Sequence, residues 1–143
     1  MSVRRNILIA FILILVGSLV YVLFRQNIIL FNLIGTEDFW NSIRITPPKN
    51  DVFLQYFFLY CLSDVLWYSA LLILAATFYV RESRFSKFLL AIMILMPFLF
   101  EILQFVGMFP GTFDWYDILF YCLTLIIFVL LWIRKSNCLL SHN

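Results

Sequence analysis

The stretch ILIAFILILVGSLVYVLF, residues 7–24, decides the fold class. It runs for 18 residues without a charge. A helix rising ~1.5 Å per residue needs about 20 apolar residues to cross a ~30 Å hydrocarbon core, so a membrane-spanning helix is predicted here. Arg4-Arg5 before it looks like the start of a secretory signal, but no small-x-small cleavage site follows. Tyr21, Val22 and Leu23 also carry the run past a normal signal core, and an uncleaved span is expected.

The rest of the chain is of the same kind. Hydrophobic residues make up 64% of its 143 residues and charged residues 13%, against roughly 45–50% and about 25% in soluble domains. This composition excludes a water-soluble fold and leaves no room for a second globular domain, so residues 1–143 are read as one membrane domain with the bilayer as its principal partner. The ten basic residues are scattered among apolar runs instead of forming a stripe, which excludes nucleic acid as a partner. Cys61, Cys122 and Cys138 have neither metal-ligand nor CxxC spacing and are expected to be buried apolar thiols.

The apolar run 52–80 would be ~43 Å long as one helix, more than a span needs. Ser63-Asp64 offers a break, with Asp64 capping a second span over 65–80. The aromatic stretch 52–62 before it then forms a shallow interfacial helix. A third span is predicted over 88–109, kinked at Pro97, which cannot donate to the Met93 carbonyl. The turn Pro110-Gly111 leads to a fourth over 117–133, closed by Arg134-Lys135. The expected fold is thus an all-α, multi-pass bundle of four transmembrane helices. In the loop 25–51, the apolar stretch 28–34 is expected to lie on the membrane. Trp67, Trp115 and Trp132 are read as interface anchors.

Basic residues near span ends mark the cytoplasmic side. With the N-terminus inside, Arg4, Arg5, Arg81, Arg84, Lys87, Arg134 and Lys135 are cytoplasmic, and only Arg25, Arg44 and Lys49 lie outside. Both termini are therefore expected in the cytoplasm. The acids sort the other way. Glu82 alone is inside, while Glu37, Asp38, Asp51, Asp64, Glu101, Asp114 and Asp117 fall on or near the outer face.

Glu101 is the most informative of these. It lies 13 residues beyond Phe88, ~20 Å into a ~30 Å core, where an ionisable side chain costs on the order of several kcal/mol without partners or water. Gln104, three residues on, shares its helix face. Asp64, Glu101, Gln104, Asp114 and Asp117 are expected to converge near the outer ends of neighbouring helices. Capping and helix-dipole roles account equally for Asp64, Asp114 and Asp117, and an interhelical hydrogen bond accounts for Glu101 with Gln104. Carboxylates without His or thiolate company suit Ca²⁺ or Mg²⁺, with Glu101, Asp114 and Asp117 as the ligand set if a metal binds. The chain has no GxSxG, HExxH or Walker loop, and its one histidine, His142, is in the tail. No catalytic template is therefore met, and the reading leans away from an enzyme.

The run Phe100-Glu101-Ile102-Leu103-Gln104-Phe105, followed by Asp114-Trp115-Tyr116-Asp117, resembles the VanZ-like family of small membrane proteins. The shared pattern is a Glu and a Gln three apart, a short loop, and D-x-x-D leading into the last helix. Ser63-Asp64-Val65-Leu66-Trp67 is a looser second match. The chain departs from the family at Phe120-Tyr121-Cys122-Leu123-Thr124, where members place an Asn and a Gly. The resemblance implies a bundle of about four membrane helices in a bacterial cytoplasmic membrane, associated with envelope maintenance or glycopeptide-antibiotic tolerance. An enzyme acting on a lipid-linked envelope precursor and a transport or channel subunit associated with another membrane protein stand as alternatives.

Overall fold

The computed structural model describes residues 3–24, 35–43, 45, 57, 61–80, 83–110 and 112–140, apart from the side chains of Glu37 and of 135–140. Among them are five α-helices: α1 (Val3–Phe24), α2 (Glu37–Ile43), α3 (Leu62–Phe78), α4 (Arg84–Phe105) and α5 (Trp115–Leu140). Three of these, α1, α4 and the Trp115–Arg134 part of α5, are long and apolar enough to cross a membrane. Their surfaces fit that solvent, because only 11%, 6% and 0% of the three windows is covered by protein. Phe11, Leu19, Phe88, Leu95 and Leu130 are among the large apolar side chains left exposed. Lipid covers such a surface at no cost, whereas water would not. α3 has 17 residues, ~26 Å of helix, and is shorter than the other three.

Local chemistry moves the helix ends away from the limits that hydropathy suggested. α3 begins at Leu62 instead of Val65, because the backbone at Cys61 is already helical (φ −98°, ψ −32°). Asp64 is therefore not the cap. It sits in the first turn, where its charge faces the positive end of the helix dipole. α4 begins a turn before Phe88, at the cap Ser83, whose Oγ accepts from the Ser86 N–H at 3.2 Å. Ser86 Oγ in turn accepts from the Val80 N–H at 2.8 Å, which ties the α3–α4 connection to the cap.

α4 stops at Phe105 instead of Phe109. Gly107 adopts the left-handed conformation (φ +76°), its N–H donates to the Gln104 carbonyl at 3.0 Å, and the Met108 N–H donates to the Leu103 carbonyl at 2.8 Å. This paired bonding closes a helix around a left-handed residue, which glycine adopts without a Cβ penalty. α4 continues helically through Pro97. α5 begins at Trp115 and extends past Arg134 to Leu140. The predicted surface segment 28–34, and the shallow helix over 52–62 apart from Phe57, Cys61 and Leu62, lie outside the described residues.

α3 is the hub. It packs against α1, α4 and α5, and α4 also packs on α5, whereas α1 touches α3 and α2 only, among the described residues. Asn6 Nδ2 donates to Thr77 Oγ1 at 2.9 Å, and Trp67 Nε1 reaches the Ile14 carbonyl at 3.4 Å, so α1 and α3 run antiparallel. Tyr68, Phe98 and Tyr121, one from each of α3, α4 and α5, meet pairwise edge to face with centroids 5.3–6.3 Å apart. Such pairs are worth ~0.5–1.5 kcal/mol beyond their burial. The Tyr68 hydroxyl donates to the Ile94 carbonyl at 3.1 Å. Antiparallel order gathers Arg4, Arg5, Arg84, Lys87 and Arg134 at one end of the bundle and Asp64, Glu101 and Asp117 at the other.

Candidate functional site

The acidic end is built by helix termini. Asp64 and Asp117 occupy the first turns of α3 and α5, where the dipole favours negative charge. Glu101 is one turn from the end of α4, where the dipole opposes it, and only 5% of it is exposed. The α4–α5 connection offsets that placement. Turned back at Gly107, it presents the Asp114 N–H, which donates to Glu101 Oε2 at 3.3 Å.

Asp64, Glu101, Gln104 and Asp117 line one cavity of about 760 Å³. Asp114 does not. Its Oδ1 accepts from the Tyr116 N–H at 2.9 Å, the bond by which an N-cap residue serves the first turn of a helix. The five residues singled out in the sequence therefore separate into four that share the cavity and one that caps α5. The charges of Asp64, Glu101 and Asp114 all act on Asp117. One Asp117 oxygen, Oδ1, is shielded from solvent and has no hydrogen-bond partner.

Cys61 is buried at the start of α3, within electrostatic reach of the Asp117 carboxylate. Burial, then the negative charge of Asp117, pushes that thiol up to about 12. It is a neutral thiol, not a thiolate nucleophile. Cys122, also expected to be buried, is exposed on α5.

Among the described residues no group of three or more carboxylate, imidazole or thiol side chains is arranged to hold a metal ion. The set Glu101, Asp114 and Asp117 is divided by the capping role of Asp114, whereas Ca²⁺ takes six to eight oxygens and Mg²⁺ a near-ideal octahedron. Among the described residues, these three do not fit such an ion.

The remaining wall is apolar and aromatic, and part of it comes from a helix that reads in sequence as a plain anchor. Ile14, Ser18 and Tyr21 of α1 line the cavity opposite Met96, Pro97 and Phe100 of α4, with Trp67 and Tyr68 of α3 between them. Trp67 is therefore a packed wall residue, not only an interface anchor: its ring lies 5.3 Å from that of Tyr21. Tyr121 completes the floor. Its signal in the sequence is the four-residue spacing from Asp117, which puts both on one face of α5. Nothing in an unbroken aliphatic run marks Ser18 or Tyr21 in the same way.

The chain matches no protein-family profile, no curated protein and no solved structure.

Proposed function

We propose that this is a four-span protein of the bacterial cytoplasmic membrane, with both termini in the cytoplasm. It serves envelope maintenance or glycopeptide-antibiotic tolerance by binding, without catalysis, at an acidic cavity in the outer leaflet. The observation that carries the reading is the meeting of Asp64, Glu101, Gln104 and Asp117, from three helices, in one cavity.

α3 is the fourth span in this reading. Its ~26 Å falls short of a ~30 Å core by an amount that local thinning of the bilayer and polar residues at the helix ends accommodate. The orientation is supported by Arg4, Arg5, Arg84, Lys87 and Arg134, which share the end of the bundle opposite the carboxylates. Binding is favoured over catalysis because the polar groups are engaged structurally. Glu101 accepts a backbone N–H, Asp114 caps α5, and the Cys61 thiol is held protonated. The envelope role rests on the likeness of residues 100–119 to the VanZ-like pattern.

The test is complementation in a bacterial host lacking the protein. Asp64→Asn, Glu101→Gln and Asp117→Asn variants are compared with wild type for survival under glycopeptide and envelope stress, with membrane levels measured in parallel. Loss of tolerance at normal levels is expected. Full tolerance in the triple variant would remove the acidic cavity from the function.

A further inference from the structure

The cavity is polarised along the bundle axis. Asp64, Glu101 and Asp117 stand at one end, and the wall descends along α3 to Leu74, ten residues or roughly 15 Å further into the bundle at 1.5 Å per residue. Ile14 on α1 and Met96 on α4 line the same wall part of the way down, at the level of Trp67 and Tyr68. α1 and α4 both line the cavity, and among the described residues their backbones do not come close to one another. The cleft lies between two helices whose outer surfaces are apolar.

A groove that is apolar at one end, acidic at the other and set between two membrane-length helices has the polarity of an amphiphile. Charge complementarity selects the headgroup. Three carboxylates line the cavity, and no described Lys, Arg or His does. Tyr21, Trp67, Tyr68 and Tyr121 bring aromatic rings to the same walls, and such faces attract ammonium groups. A bare divalent ion is the poorer occupant, because the described residues form no three-ligand set.

We propose that this cleft binds a membrane amphiphile with a cationic ammonium headgroup, its tail between α1 and α4 and its head among Asp64, Glu101 and Asp117. The assignment deepens the reading above and rests on it for the leaflet from which the amphiphile enters.

The experiment uses the full chain in neutral maltoside micelles and three photoactivatable alkyl probes of equal chain length, ending in an amine, an alcohol or a carboxylate. Crosslinks are mapped by mass spectrometry. The amine is expected to label the segments around Ile14 and Met96 about tenfold more than the carboxylate, the difference made by ~1.4 kcal/mol, and several-fold more than the alcohol. Combined Asp64→Asn, Glu101→Gln and Asp117→Asn substitution should reduce amine labelling to the level of the alcohol. Ser18→Phe, which fills the cleft and leaves the carboxylates in place, should abolish labelling by all three probes.

Equal labelling by amine and alcohol, or full amine labelling in Ser18→Phe, overturns the proposal. Competition by excess ethylammonium as effective as that by an alkylamine would also overturn it, since the site would then take soluble amines. The two readings fail separately. An absent amine preference with lost envelope tolerance in the acidic variants removes only the amphiphile, whereas a clear preference with intact tolerance removes only the envelope role.

Discussion

Trp67 lies across Gly17 so closely that a Cβ added at Gly17 would stand 2.8 Å from the indole Cδ1 and Nε1. The absence of a side chain at this one position of α1 lets α3 approach and sets Trp67 into the cavity wall. Small residues at helix crossings have this role in membranes, where packing replaces the hydrophobic effect as the force joining helices.

Gly17→Ala should therefore force the indole or the helix to move and destabilise the protein by about 1–3 kcal/mol. Thermal unfolding in detergent, followed by Trp fluorescence, measures it. A midpoint equal to or above that of wild type would show that the contact yields without cost.

Asp114 and Glu101 should separate in their effects. Asp114→Ala removes the bond to the Tyr116 N–H and is expected to cost about 0.5–2 kcal/mol of stability, with the cavity's own polar groups intact. Glu101→Gln keeps an oxygen for the Asp114 N–H and should be nearly neutral in stability while changing the charge of the cavity. Glu101→Leu leaves that N–H without its acceptor and should cost about 1–3 kcal/mol. Chemical or thermal unfolding of the three variants would reveal any other order.

With Cys122 and Cys138 replaced by Ser, Cys61 should resist maleimide in the folded protein and react fully after denaturation in SDS. A thiol pushed up to about 12 leaves a thiolate fraction on the order of 10⁻⁴ at pH 8. Because the folded thiol titrates above its free value, raising the pH from 7 to 9 should speed the reaction of denatured Cys61 through its own titration. The folded protein should stay unlabelled over that range. Rapid native labelling at pH 7 would place Cys61 outside the buried position near Asp117.

Topology is read from single cysteines at Asp38 and Arg84, both exposed, in a background lacking the native three. An impermeant reagent applied outside intact cells should label Asp38→Cys and spare Arg84→Cys. Labelling of both would mean that α3 does not cross the membrane, and labelling of Arg84→Cys alone would invert the orientation.

Most of the helical content is legible in the sequence, because a span needs only an uninterrupted apolar run and the charges that bound it. Residues 7–24 announce α1 without reference to any neighbour, and Glu101 announces itself by standing where lipid would reject it. The meeting of Asp64, Glu101 and Asp117 is also legible in outline. Consecutive antiparallel helices joined by short connections return the end of one to the start of the next. The helix limits were less legible, since they depend on single residues acting through backbone geometry: Ser83 as a cap, Gly107 as a left-handed stop.

Residues 7–24 by themselves thus determined that α1 is a membrane-length apolar helix, and the same reasoning identified the apolar stretches of α3, α4 and α5. That Ile14, Ser18 and Tyr21 face a cavity, that Asp114 caps while Asp117 lines, and that α1 and α4 stand apart were decided by tertiary structure alone. Hydropathy records how each residue partitions between water and lipid. It carries no term for which face of a uniformly apolar helix meets a neighbour, and that choice is made by the fit of Trp67 against Gly17.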